Sequence, residues 1–245
     1  MNKVKCIVAY DGTNFFGYQV QPGKRTVQYE LEDALKKLHK GRLVHVTASG
    51  RTDRGVHALG QVIHFQTDLS IPEDRWARAL NSVLPEDIWI RQAEFVQEAF
   101  HARFNVTRKE YRYRLLTRPE PDLFRRFYTL HITQALDLRQ MQIAAQSIIG
   151  THDFSSFCAA NTSVTDKTRT VYELAIDCRG DETIIRIVGS GFLYQMVRII
   201  TGTLLDVGLG NLQAERMAQI IAAHDRSQAS KTAPPIGLTL WRVTY

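Results

Sequence analysis

The segment Ser49-Gly50-Arg51-Thr52-Asp53-Arg54-Gly55-Val56-His57-Ala58 holds the side chains of this chain best suited to chemistry. One carboxylate, Asp53, stands between Arg51 and Arg54, with Gly50 and Gly55 on either side. An aspartate between strands is most often a turn former. A turn former gains nothing from neighbouring cations, whereas an ionised nucleophile does, because guanidinium groups favour the charged form of a carboxylate. The same arginines can grip phosphates. The glycines let backbone approach a ligand closely or adopt positive φ. The loop is thus a candidate for nucleophilic chemistry on a phosphate-bearing substrate.

A second group lies further along. Residues 103 to 126 contain Arg103, Arg108, Lys109, Arg112, Arg114, Arg118, Arg125 and Arg126 against Glu110, Glu120 and Asp122. Tyr111, Tyr113, Phe124, Phe127 and Tyr128 are interleaved with these cations or follow them. Cations neutralise phosphates and aromatic faces stack bases, so the mixture suits a nucleic-acid groove. A solvated strand with arginine outward and tyrosine inward accounts for the charge pattern equally well.

The elements that would carry these groups follow from periodicity. Strands are expected at Val4–Tyr10, Leu43–Ala48, Gln61–Gln66, Ile88–Val96, Asn105–Leu116, Val171–Cys178, Thr183–Val188 and Leu238–Tyr245. Arg179-Gly180-Asp181 is the turn of a hairpin. Helices are expected after the caps Thr26 and Asp137, at Arg75–Val83, from about Phe192 to Leu205, and from Gln213 to His224. Hairpins mixed with helices predict an α+β fold: two similar mixed α/β halves, a continuous and mostly antiparallel central sheet, and helices packed on it. The boundary is set near residue 104, giving an N-terminal domain of residues 1–104 and a C-terminal domain of residues 105–245.

Composition limits the classes. The chain has 245 residues, of which 44% are hydrophobic and 23% charged, as in ordinary globular proteins. The three cysteines, Cys6, Cys158 and Cys178, are widely spaced and form no disulfide framework or zinc motif. The scattered histidines include no pattern suited to a metal, so no metal is expected. Gly189-Ser190-Gly191 and Gly208-Leu209-Gly210 lack the third glycine of a dinucleotide fold. The opening apolar run is too short for a signal peptide, and Arg186, Arg198 and Asp206 interrupt the most apolar stretch. A cytoplasmic protein without membrane segments is expected. The net charge of +6 permits a polyanionic partner without requiring one.

The catalytic loop and six further motifs, in order along nearly the whole chain, resemble the TruA-type tRNA pseudouridine synthases. They are Tyr10-Asp11-Gly12-Thr13 with Phe16-Gly17-Tyr18-Gln19, Gly50 to Ala58, Asn81 with Leu84-Pro85, Phe100-His101-Ala102-Arg103 with Lys109-Glu110-Tyr111-Arg112-Tyr113, Gly150-Thr151-His152-Asp153-Phe154, Gly191-Phe192-Leu193-Tyr194-Gln195-Met196-Val197-Arg198, and Ala233-Pro234-Pro235-Ile236-Gly237-Leu238. The resemblance implies isomerisation of uridine to pseudouridine at positions 38, 39 and 40 of the tRNA anticodon stem-loop, without a cofactor, by a homodimer. It also implies a set of site residues. Asp53 would be the nucleophile. Tyr111 would stack on the uracil and assist proton transfer, and Arg198 would pair with Asp53. Arg51 would fill the gap left by the flipped nucleotide, and Leu238 would form an apolar wall of the pocket. A non-catalytic RNA-binding protein and a carboxylate hydrolase are the competing readings.

Overall fold

Val4, Cys6, Val8 and Tyr10 are the buried positions of β1 (Asn2–Tyr10), and this alternation is what makes a half-buried strand. The computed structural model describes residues 1–160, 162 and 164–245. It divides into two units, Met1–Thr107 with Thr239–Tyr245, and Arg108–Leu238. Among the described residues there are ten strands and five α-helices, and the strand pairing is mostly antiparallel. The class is α+β, as the mixture of hairpins and helices requires.

In the first unit, β1 is followed by α1 (Val27–Leu38), β2 (Thr47–Ala48), β3 (His57–Thr67), α2 (Trp76–Asn81) and β4 (Ile88–Val96). β1 is the middle strand, antiparallel to both β3 and β4. The Thr26 side chain caps α1 by accepting from the Tyr29 amide, and Val27, Leu31, Ala34 and Leu35 form its buried stripe. α2 packs on β4 and buries Trp76 and Leu80. The strand expected at Leu43–Ala48 is reduced to β2. The Val46 amide donates instead to Glu32 Oε1 of α1 at 3.2 Å, which removes it from any ladder. β3 begins earlier than expected, at His57, so the loop around Asp53 is only residues 49–56.

The second unit contains β5 (Arg108–Thr117), β6 (Leu130–Ile132), α3 (Leu138–Gln146), β7 (Gly150–Asp153), β8 (Thr168–Arg179), β9 (Glu182–Gly189), α4 (Met196–Gly208) and α5 (Arg216–Ala223). β9 lies between β5 and β8, β7 continues beyond β8, and β6 runs parallel to β5. α3 packs against β8, α4 and α5. α4 starts at Met196 and not near Phe192, because Gln195 takes a left-handed conformation at φ 59° and ends the preceding turn. The chain closes with β10 (Leu238–Thr244). From Thr239 onward it belongs to the first unit, where it runs parallel to the start of β3.

Candidate active site

Residues 49–56 connect β2 to β3, and hydrogen bonds fix both ends of this loop. Ser49 Oγ donates to Gln61 Oε1 at 2.7 Å, and Gln61 Nε2 donates to the Gly50 carbonyl at 2.8 Å. Thr52 is held twice. Its hydroxyl lies 2.9 Å from the Tyr10 hydroxyl, and its carbonyl accepts the Tyr18 amide at 3.0 Å. On the far side of Asp53, the Val56 amide donates back to the Asp53 carbonyl at 3.1 Å. The Gly12 amide then donates to His57 Nδ1 at 3.0 Å.

The Tyr10–Tyr18 segment therefore acts as a template for the loop, and two glycines make the close fit possible. A Cβ on Gly12 would stand 2.1 Å from the Val56 carbonyl oxygen. Gly17 has φ +92°, and a Cβ there would meet the Thr52 carbonyl oxygen at 3.0 Å. Burial pushes the Tyr10 phenol up to about 12, against the opposing effect of its bonds to Thr52 and Gln61, so it is a neutral partner at any working pH. The loop backbone is thereby fixed on both sides of Asp53. Asp53 itself is half-buried, while Arg51 and Arg54 are exposed.

In the second unit, Tyr111, Tyr113 and Leu115 lie on the buried face of β5. Tyr111 packs edge-on against Phe192, with ring centroids 5.3 Å apart. Tyr113 is fully buried and donates its hydroxyl to the Pro234 carbonyl at 2.7 Å. Burial raises the Tyr113 phenol, and the charge of Arg198 opposes that shift. Arg198 sits in the first turn of α4. Its Nε donates to the Ala233 carbonyl at 2.8 Å, and the Ala233 amide returns a bond to the Arg198 carbonyl at 3.0 Å. The loop at 233–237 is thus tied to α4 at one end and to β5 at the next residue, and buried Leu238 follows it.

Much of the basic stretch turns out to be internally neutralised. Arg112 pairs with Glu110, Arg114 with Glu182, and Arg118 with Asp181 and Glu120. Arg125 binds Asp122, Asp181 and Glu182 together, at 2.6–2.9 Å. The Tyr113 ring is buried and cannot stack on a base. On β5, Arg112 and Arg114 are thus taken up by ion pairs and Tyr113 by the core. Exposed apolar groups lie beyond the strand, with Leu123 at 67% and Phe124 at 93% exposure.

The expected site residues fall into two sets. Arg51 and Asp53 share the loop of the first unit, whereas Tyr111, Arg198 and Leu238 belong to the second. Sequence reasoning missed the supports, Thr52, Tyr10 and Tyr113. For the first two, the available signal was the spacing of aromatic residues and glycines in Tyr10-Asp11-Gly12 and Phe16-Gly17-Tyr18.

The family described as "tRNA pseudouridine synthase" matches this chain over residues 6–105 and 144–245. Similar curated relatives include tRNA pseudouridine synthase A of Bacillus subtilis, 55% identical over 244 residues that cover 99% of each chain. Another is tRNA pseudouridine synthase A of Halalkalibacterium halodurans, 57% identical over 97% of this chain and 90% of that one. Among solved structures, a chain in the "Crystal Structure of a Cbf5-Nop10-Gar1 Complex" gives a TM-score of 0.36 at 11% identity, covering 97% of this chain and 58% of that one. So slight a likeness carries no functional argument.

Proposed function

The chain belongs to the tRNA pseudouridine synthase family, and on that premise we propose that it converts uridine to pseudouridine at positions 38, 39 and 40 of the tRNA anticodon stem-loop, with Asp53 as the nucleophile. Pseudouridine synthases are isomerases. The N1–C1′ bond breaks, a C5–C1′ bond forms, the hydrogen at C5 leaves and N1 gains one. The exchange is redox-neutral and calls for no cofactor.

The observation that carries this reading is the template around Thr52. A half-buried carboxylate stands on a backbone fixed one residue before it and again through its own carbonyl, which is the pre-organisation a nucleophile needs. Asp53 attacks either C6 of the uracil or C1′ of the ribose, the latter directly or by way of a glycal, while the uracil leaves. Arg198 is assigned as its charge partner. A cation in the first turn of a helix is disfavoured by the helix dipole, and a carboxylate partner offsets that cost, while Ala233 steers the side chain.

Tyr111 is assigned to stack on the uracil and to pass the C5 proton. Leu238 supplies an apolar wall. Exposed Arg51 occupies the space vacated when the nucleotide leaves its stack, a step that any reaction at a base within a helix demands. In this scheme residues 1–104 bring the nucleophile and residues 105–245 bring the tyrosine and arginine. The working form is a cytoplasmic homodimer that grips one tRNA with both subunits.

The test is an unmodified anticodon stem-loop labelled with tritium at uracil C5, incubated with the pure protein. Tritium release with the RNA chain intact is the expected result. Free uracil without pseudouridine would make the protein a hydrolase, and tight binding without either would make it a binding protein.

A further inference from the structure

Two cations from different segments converge on the ring of Phe16. Arg54 of the catalytic loop places its Cζ 4.3 Å from the ring centroid, and Lys24 places its Nζ 4.7 Å from the same point. The ring is held in place by its own backbone. The Phe16 amide donates to the Arg25 carbonyl at 2.9 Å, and its carbonyl accepts Gln21 Nε2 at 2.7 Å. The turn bearing Lys24 is closed by its amide on the Gln21 carbonyl, and the Gly55 amide donates to the Phe15 carbonyl. Both cations are therefore aimed by structured backbone.

The adjacent ring offers a contrast. Arg25 lies over Phe15 with its Cζ 4.3 Å from the centroid, and two carboxylates neutralise it, Asp87 through a bidentate pair at 2.6 and 2.8 Å and Glu30 at 2.8 Å. Among the described residues, no carboxylate pairs with Lys24 or Arg54. A ring face attracts one cation modestly, by about 0.5–1 kcal/mol at an exposed site, but gathering two like charges on one ring is repulsive unless an anion joins them. Both side chains are exposed, and Arg54 directly follows the proposed nucleophile.

We propose that Lys24 and Arg54, mounted on Phe16, form a phosphate clamp for the backbone of the RNA strand that carries the target uridine. This inference rests on the reading of the protein as an enzyme acting on tRNA, and it assigns that site a backbone-binding subsite. Arg54 supplies a planar fork for phosphate oxygens and Lys24 a point charge.

The test is the salt dependence of binding between the full-length protein and an unmodified tRNA transcript, with Lys24→Met and Arg54→Met compared to wild type. Methionine keeps the aliphatic packing and removes the charge. Each lost phosphate contact lowers the slope of log K against log salt by about 0.7–0.9. Each single variant is expected to show that drop and the double variant about twice it, with Lys24→Arg restoring the wild-type slope. Wild-type slopes in both singles, with melting temperatures unchanged, would overturn the clamp. Tritium release by the wild type, run in parallel, separates the two readings. Release with unaltered slopes defeats the clamp alone. Lowered slopes without release keep the phosphate site and defeat the isomerase assignment.

Discussion

Replacing Thr52 by valine removes one hydroxyl at nearly constant shape. That hydroxyl is 2.9 Å from the phenol of Tyr10, which is 4% exposed and stays protonated. Leaving a buried polar group without its partner costs about 1–3 kcal/mol. The Gln61 side chain also serves the phenol, which sets the expectation at the lower end, about 1 kcal/mol. For a chain of this length, that is a melting shift of roughly 2–4 °C. The Thr52 carbonyl keeps its bond to Tyr18, so the loop stays folded while the residue before Asp53 loses its side-chain anchor. A displacement approaching 1 Å at a reacting group costs about 100-fold in rate. Single-turnover pseudouridine formation should therefore fall by about 10- to 100-fold, with tRNA affinity retained and Thr52→Ser restoring the rate. Tyr10→Phe should resemble the valine variant. The double variant should be less destabilised than the sum of the two, by about 1 kcal/mol in urea melts. A Thr52→Val protein that loses stability yet turns over at the wild-type rate would refute the positioning argument.

Asp53→Asn should abolish product formation while changing tRNA affinity by only a few-fold, as read by filter binding beside tritium release; normal turnover would remove the carboxylate from the mechanism. Gly12→Ala should destroy activity and lower the melting temperature sharply, because its Cβ would lie 2.1 Å from a backbone oxygen that side-chain movement cannot relieve. Gly210→Ala, strained at φ +76° but with open space around the new atom, should cost only about 1–2 kcal/mol and spare the reaction. Burial, reinforced by the charges of His101 and Lys3, lowers His64 from 6.5 to about 4, while its Nδ1 accepts the Ala102 amide. The folded ring therefore stays neutral where the unfolded one binds a proton, so its contribution to stability is complete above pH 6.5 and is lost as pH falls toward 4. His64→Asn should flatten the stability profile across that window in urea melts at stepped pH.

Strands that pair along their full length were legible in the sequence, because each carries its own alternation. β4 spans the expected Ile88–Val96, and β8 and β9 pair across Gly180 as a hairpin. Short elements were not, since β6 and β7 contain too few residues to display a period. Residues 43–46 alternate as a strand does, yet a helix side chain captures the Val46 amide, a tertiary event that no local pattern records. The same distinction governs the site. Asp53 stood out because its cationic neighbours are adjacent in sequence. Thr52 looked like filler, because its partners Tyr10 and Tyr18 come from a distant segment and only folding brings them together. The basic run at 103–126 shows the same limit from the other side. Several of its arginines face carboxylates from β9 or the turn before it, and those lie far along the chain.

The bonds that anchor the loop at Ser49, Gly50 and Thr52 join neutral groups: hydroxyls, amides and a phenol. Salt screens interactions between exposed charges and leaves short neutral contacts in a buried setting almost untouched. Binding of a polyanion, by contrast, loses affinity steeply as salt rises, because each neutralised phosphate releases counterions. The two parts of the reaction should therefore separate under ionic strength. Between about 50 and 200 mM salt, KM should climb by an order of magnitude or more, while kcat at saturating tRNA stays within about two-fold. Steady-state rates over a range of tRNA concentrations at each salt concentration would resolve the two constants. A kcat that fell in step with affinity would mean that charge, and not the neutral template, sets the position of Asp53.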